Sequence, residues 1–250
     1  MSPPVSGDDQ LTSLGAETVT IDFQKAMAEL SVLRDFVEFV NNQIGVYMDC
    51  IAGFQGNTVR IERQVARVQR RVAHLNKDGQ PVMMLASVED ATSPEVIHHR
   101  IIRAQDFLRA NAETGFNHRQ VCWSIIVFVF AYWDEQVRPK IAAVRGVKTK
   151  DVKVHALGDL RLIRHAVVHN KGVLTSTEHA KLLKMAALFK PDAKVVLTHD
   201  QMHSVFVFVK QAIGEIILTY TGHLPGAPAA TQIVDIAMTN VGPRKTDGED

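Results

Sequence analysis

The sequence predicts an all-α protein with minor β structure. Apolar residues recur every three or four positions through most of the chain, which is the period of a helix with one buried face. Capping residues stand at the ends of several of these segments. Extended patterns are short, and the chain contains no internal repeat. Together these observations favour a helical bundle.

The first third of the chain predicts a disordered start followed by a long helical hairpin. Residues 1–18 are rich in Ser, Pro, Asp and Gly. The apolar pattern of Ile21–Met48 predicts one helix, and that of Asn57–Leu75 predicts a second. Gly53 and Gly56 interrupt the pattern between them, so we expect an antiparallel turn there.

The middle of the chain predicts one short strand and two helices. Gln80–Val88 follows a turn signal and is expected to be extended. Thr92, Ser93 and Pro94 are typical of a helix start, and this helix is predicted to reach Ala112. A longer helix over His118–Ala143 contains the apolar run and is expected to be the most buried element.

The last third predicts three further helices. The first covers Asp159–Gly172 and ends at a glycine cap, and the second begins at the Thr175 capping sequence and runs to Phe189. Lys194–Thr198 is strand-like, and Asp200–Tyr220 is the last helix. The predicted division is a disordered 1–18, a hairpin in 19–90 that serves as a coiled-coil or oligomerisation element, a bundle domain in 91–221 and a flexible tail in 222–250.

Composition restricts the class of protein. The formal net charge is +1, so any affinity for nucleic acid must come from a local basic surface. The chain has two cysteines with no metal-type spacing, which fits a reducing compartment. No secretory signal pattern is present at the start, and the longest apolar run, Ile125–Trp133, is far shorter than the roughly 20 residues of a membrane span. We therefore expect a soluble, cytoplasmic protein with no membrane partner.

The segment from Arg164 to His169 carries the chemistry that the sequence offers. At about 100° per residue, Arg161, Arg164, His165 and His169 share one arc of the helix, with Val168 inside it and apolar residues opposite. Imidazole transfers protons near neutral pH, and guanidinium binds phosphate through a fork of donors. The pattern indicates chemistry on a phosphodiester.

Two other interpretations of this helix stay open. It could be a solvated basic face that pairs with Asp159 and Glu178. His165 and His169, four residues apart, could also bind a metal, but a third ligand is lacking, so we predict no metal and no cofactor. The Arg-x4-His spacing is expected by chance in a chain with 11 histidines, and Arg67 with His74 forms a looser decoy on the second helix.

The segment Asp159–Gly172 as a whole resembles the signature helix of the HEPN superfamily (higher eukaryotes and prokaryotes nucleotide-binding). The family pattern is an Arg, then a polar residue, then a His four to six positions after the Arg, which Arg164, His165 and His169 fill in order. The helix that ends near Lys140 is similar to the buried helix that precedes the motif in that family. The resemblance covers about residues 94–220 and implies a HEPN-like bundle.

The resemblance implies a metal-independent endoribonuclease that is active as a homodimer. Arg164 would bind the scissile phosphate, His169 would transfer a proton as the ribose 2′-hydroxyl attacks, and His165 would orient both. Arg161, Asn170 and Lys171 flank the motif and are predicted to bind substrate. The implied partners are RNA, a second copy of the chain, and an antitoxin or phage-defence protein. Many superfamily members are inactive, so the alternative is a non-catalytic module that binds RNA, a nucleotide or a protein.

Two more basic clusters admit two interpretations each. One is an arginine stripe along the second helix, which is either an RNA-backbone track or the basic partner of the acidic first helix; we favour the pairing. The other surrounds Arg103 and is interpreted as a solvated helix face. The stripe consists of Arg60, Arg63, Arg67, Arg70, Arg71 and His74, and the second cluster of His98, His99, Arg100 and Arg103.

Overall fold

The computed structural model describes residues 23–72, 82–86 and 98–221, with side chains for 24–68 and 102–219. The predicted disordered start and flexible tail lie outside the described residues. The structure is a helical bundle with two small antiparallel sheets, as the all-α prediction requires. The helices are α1 (Phe23–Val72), α2 (Ala104–Asn111), α3 (Phe116–Tyr132), α4 (Arg138–Arg145), α5 (His155–His169), α6 (Ser176–His179) and α7 (His199–Thr221); the strands are β1 (Val82–Ala86), β2 (His98–Arg103), β3 (Val173–Leu174) and β4 (Ala193–Lys194).

The N-terminal α-hairpin prediction is wrong, because α1 is one continuous helix of 50 residues. Gly53 and Gly56 lie within it, and a side chain at either position would meet open space. A glycine costs a helix only about 1 kcal/mol relative to alanine, which the packing of α1 on α3, α4 and α7 outweighs. The proposed pairing of an acidic with a basic helix therefore does not occur. Instead Glu29, fully buried, binds the guanidinium of Arg145 in α4.

The N-terminal half of α1 belongs to the main core. Leu33, Phe36, Val40 and Tyr47 are almost fully buried in the same cluster as the side chains of α3, α5 and α7. Further along, Ile61 packs in a second, smaller cluster against Ala104 and Phe107 of α2. The core of the bundle thus continues into the segment predicted as a separate hairpin.

The long helix predicted over 118–143 is confirmed and includes a local irregularity. It runs as α3, a π-helical turn at Trp133–Val137, and α4. The apolar run makes α3 the centre of the bundle, with Ile125, Ile126 and Val129 fully buried. A π-turn adds a residue to the helical ring, so side chains beyond it change direction.

The structure confirms the first extended segment and corrects the helix after it. β1 pairs antiparallel with β2, with Val82 opposite Arg103 and a bulge next to Leu85. The helix predicted from Thr92 to Ala112 is therefore a strand over 98–103 and the short helix α2. Ile101 and Ile102 are β-branched and suit a strand, and pairing with β1 favours the strand over the predicted helix. The cluster around Arg103 is accordingly not a helix face.

The region after α5 also differs from prediction. Thr175 caps a helix as expected, and Glu178 completes the capping box, but α6 ends at His179 rather than Phe189. The amides of Leu183, Lys184 and Met185 donate to the carboxylate of Asp159, so they are not used in helical hydrogen bonds. The strand predicted over 194–198 is the two-residue β4, paired with β3.

The last helix, α7, is confirmed and completes the core. By length and hydropathy it is the single helix in the described part of the chain that could span a membrane, a test that core helices also pass. Tyr47 links three helices at the start of α7. Its hydroxyl lies 3.1 Å from His118 Nε2 in α3 and 3.2 Å from His199 Nδ1. Burial is the main cause that raises the pKa of Tyr47, and the hydroxyl therefore stays protonated.

Candidate functional site

Helix α5 presents one apolar face to the core and one basic face to solvent, as the sequence predicts. Leu160, Ile163 and Ala166 are fully buried against the core. Arg161, His165 and His169 are exposed on the other side, while Arg164 is half-buried. Val168, with 48% of its surface exposed, interrupts the basic face with an apolar side chain.

The structure brings Arg164 and His169 into contact. The Nη1 atom of Arg164 lies 3.4 Å from Nε2 of His169, at the long end of a hydrogen bond. A guanidinium nitrogen can only donate, so Nε2 accepts and carries no proton in this geometry. An imidazole nitrogen without a proton, beside a cation, can take a proton from a substrate hydroxyl while the cation binds a phosphate.

His165 is held by a carboxylate from the next helix. Its Nδ1 donates to Oε1 of Glu178 at 2.7 Å, and its ring centroid is 5.0 Å from that of His169. The basic arc is therefore not without an acid, because Glu178 of α6 supplies one. Glu178 is therefore a partner of the basic face, as one of the two other interpretations predicted. The contact also fixes which ring nitrogen of His165 carries the proton.

Glu178 is itself fixed by several donors. It accepts from the Thr175 backbone amide at 3.1 Å and from the Thr175 hydroxyl at 2.9 Å, and the side-chain amide of Asn170 lies 3.3 Å from Oε2. Partial burial raises the pKa of Glu178, but the hydrogen bonds from Thr175 and His165 and the charge of His165 outweigh it and hold the pKa below its ordinary value. The carboxylate is therefore ionised near neutral pH and orients His165.

The residues predicted to bind substrate occupy different environments. Asn170 is half-buried and directs its amide to Glu178, so it supports the carboxylate rather than facing solvent. Lys171 is exposed in the turn after α5 and has a left-handed backbone with φ of 54°. Arg161 lies one turn before Arg164 and lines a cavity described below.

The C-terminal end of α5 is locked by a glycine and a tryptophan. Gly172 has φ of +81°, and a Cβ at this position would overlap the ring of Trp123 in α3. The indole nitrogen of Trp123 donates to the carbonyl of Val195 at 2.8 Å. The helix predicted to run to a cap at Gly172 ends earlier, at His169, with Asn170 as its C-cap residue. Gly172 has the left-handed backbone expected of glycine, and it fixes the turn that follows the helix.

Asp159 anchors the N-terminal half of α5 and is not a partner of the basic face. Its buried carboxylate accepts from the backbone amides of Leu183, Lys184 and Met185 at 2.7 to 3.1 Å. The interpretation that paired Asp159 with the basic arc is therefore wrong. Among the described residues, no group of three or more His, Cys, Asp or Glu side chains is arranged to hold a metal ion.

Part of this environment cannot be read from the sequence. The Thr175–Glu178 capping box was recognised as a helix start, yet the same carboxylate also reaches His165, 13 residues earlier. Three lysines next to Arg161 (Lys150, Lys153 and Lys181) also went unrecognised, because they come from separate segments that only the fold brings together.

Comparison of the chain with protein-family models, with curated proteins and with solved structures finds no match. The likeness to the HEPN signature helix rests on the sequence alone.

Proposed function

We propose that this chain is a metal-independent endoribonuclease of the HEPN type. The observation that carries the proposal is the contact between Arg164 and His169 on the solvent face of α5, beside a second imidazole that an ionised carboxylate holds in place. A phosphate-binding cation and a proton acceptor are the two groups that cleavage of RNA by its own 2′-hydroxyl requires.

In the proposed reaction, His169 removes the proton from the ribose 2′-hydroxyl. The 2′-oxygen then attacks phosphorus, the bond from phosphorus to the 5′-oxygen breaks, and the leaving oxygen takes a proton from water, while His169 releases its proton to solvent. Arg164 stabilises the extra negative charge of the phosphorane, a role that needs a cation fixed before the reaction starts. The products are a 2′,3′-cyclic phosphate and a 5′-hydroxyl, so no metal-bound water is required.

Glu178 and His165 serve as positioning residues in this proposal. The carboxylate accepts a hydrogen bond from Nδ1 of His165, and the ring of His165 packs beside that of His169. We also propose that two copies of the chain form the cleft. A single α5 offers one shallow exposed motif, and Val168 supplies an apolar contact within the basic face for a symmetric partner.

The test is cleavage of single-stranded RNA in the presence of EDTA. We expect Arg164→Ala to lower the rate by about 10² to 10³-fold and His169→Ala by about 10² to 10⁴-fold. Arg34→Ala and His203→Ala are matched controls, because both side chains are exposed on other helices. Products with a 5′-phosphate, or cleavage that EDTA abolishes, would refute the mechanism. A chain that is monomeric in sedimentation at micromolar concentration while fully active would refute the shared cleft.

A second candidate is a non-catalytic module that binds RNA or a protein. The observation that favours it is the far half of α1, where Arg60, Arg63, Val59 and Val68 are all exposed on one long helix. Absence of cleavage by the unaltered chain, together with RNA binding that Arg60→Glu and Arg63→Glu abolish, would favour this function over the nuclease.

A further inference from the structure

A basic cavity lies beside the motif at the N-terminal half of α5. Its volume is about 390 Å³, and it opens between the π-turn after α3, the segment 150–155, α5 and the loop at 181–183. This volume falls in the range of about 300 to 1,000 Å³ that small-molecule sites occupy. The cavity therefore has room for one nucleotide-sized ligand.

Most of the charged side chains around the cavity are positive. Lys150, Lys153, Arg161 and Lys181 line it from three separate segments, and no described carboxylate forms an ion pair with any of them. Asp159, the acid in the lining, is buried. Four cations that face one cavity without an ion-pair partner give it a positive potential, which would attract a polyanion.

Two polar side chains in the lining already form hydrogen bonds within the protein. Both carboxylate oxygens of Asp159 accept backbone amides of the 183–185 loop. The guanidinium of Arg138 binds Asp134 at 2.8 Å and the carbonyl of Val152 at 3.1 Å. These bonds fix the walls of the cavity and leave the lysines and Arg161 for a ligand.

The floor of the cavity is apolar and partly aromatic. Trp133 and Leu157 are almost fully buried beneath it, and Leu162 is half-buried at its side. Trp133 is the first residue of the π-helical turn, an irregularity that is common at functional sites. A flat ring system could contact this floor while an attached phosphate group stays among the cations at the rim.

From this combination we propose that the cavity binds a nucleotide carrying at least two adjacent phosphates. The base would lie on the apolar floor near Trp133, and the phosphates would bind Lys153, Arg161 and Lys181. This site does not require the nuclease activity. A free nucleoside diphosphate has two directly linked phosphates. In an RNA strand a ribose separates successive phosphates, so a strand would present the same kind of charge to these cations at a wider spacing, and Arg161 lies one helical turn before Arg164 on the same helix.

The primary experiment is calorimetric titration of the full chain with ADP, pyrophosphate and adenosine. We expect saturable ADP binding that weakens as salt rises, and weaker binding of each of the two fragments. The double variant Lys153→Glu and Lys181→Glu should weaken ADP binding at least about tenfold. The matched pair Lys148→Glu and Lys190→Glu has the same charge change on exposed positions outside the cavity and should change it less than about twofold.

The outcomes separate this proposal from the nuclease. No saturation by millimolar ADP, or equal loss in both double variants, would overturn the cavity site. ADP binding by the Arg164→Ala variant, with cleavage absent in every form, would support the cavity site while the nuclease fails. A 2′-O-methyl oligonucleotide that competes with ADP would identify the RNA strand as the natural source, and one that binds without competing would identify the free nucleotide.

Discussion

Asp159→Ala is the substitution whose cost the structure defines most sharply. The buried carboxylate replaces helical carbonyls as the acceptor for Leu183, Lys184 and Met185, at distances between 2.7 and 3.1 Å. Alanine would leave all three amides without an acceptor at the point where the 183–185 loop meets α5.

The magnitude follows from these three donors. A hydrogen bond to a charged group contributes roughly 1.5 to 3 kcal/mol, and an unpaired buried amide costs about 1 to 3 kcal/mol. The three energies do not simply add, because the three bonds share one carboxylate. Water can also reach part of the loop through the adjoining cavity and satisfy some of the amides. We expect a loss of about 3 to 5 kcal/mol in the free energy of unfolding. Asp159→Asn should lose about 2 kcal/mol, because one oxygen can still accept.

Urea denaturation followed by circular dichroism measures this loss. Asp151→Ala is the matched control, because that carboxylate is exposed just before α5 and should change stability by less than about 0.5 kcal/mol. A melting temperature roughly 6 to 20 °C lower is expected for Asp159→Ala. If Asp159→Ala retains stability within about 1 kcal/mol of the unaltered chain, the loop amides must be satisfied in another way, and the anchoring role is wrong.

Three further predictions concern the surroundings of the motif. Gly172→Ala should lower the free energy of unfolding by about 2 to 3 kcal/mol in denaturant titrations, because it combines a positive φ with overlap of the Trp123 ring. Burial lowers the pKa of His118 and keeps it mostly neutral in the fold, although the charge of nearby Glu113 opposes this shift. The contribution of neutral His118 to stability is complete above about pH 6.5 and is lost as pH falls through the lowered pKa. The urea midpoint should therefore fall between pH 7 and pH 5, and a His118→Gln variant should lose part of that pH dependence. Glu178→Gln should lower the RNA cleavage rate about tenfold with little change in KM and should alter the pH profile of cleavage, which a purely structural role would leave unmoved.

The sequence predicted correctly those parts of the fold that depend on interactions between residues close together in the chain. The two faces of α5, the left-handed glycine at Gly172 and the capping residue Thr175 all depend on residues within one or two turns. The start and end of α7 were predicted within one residue for the same reason, because its apolar face is continuous.

The errors occurred where distant contacts decide. Gly53 and Gly56 indicated a break, but tertiary packing keeps α1 continuous through them. The helical signal before Ala112 gave way to the pairing of β2 with β1. The ion pair between Glu178 and His165 joins two elements whose relative placement no pattern within either of them encodes.

Contacts with three other segments hold α5 in the bundle, and they bear on how the motif could act. Asp159 binds the 183–185 loop to the first turns of α5, Glu178 fixes His165 near its end, and Trp123 closes on Gly172 just beyond His169. These contacts tie α5 to three other parts of the bundle, the 183–185 loop, α6 and α3. They hold the helix, while the side chains of Arg161 and His169 stay exposed to solvent. In the proposed nuclease, a helix held in this way would lose little conformational entropy when RNA binds, and it would keep the backbone positions of Arg164 and His169 fixed before the phosphorane forms.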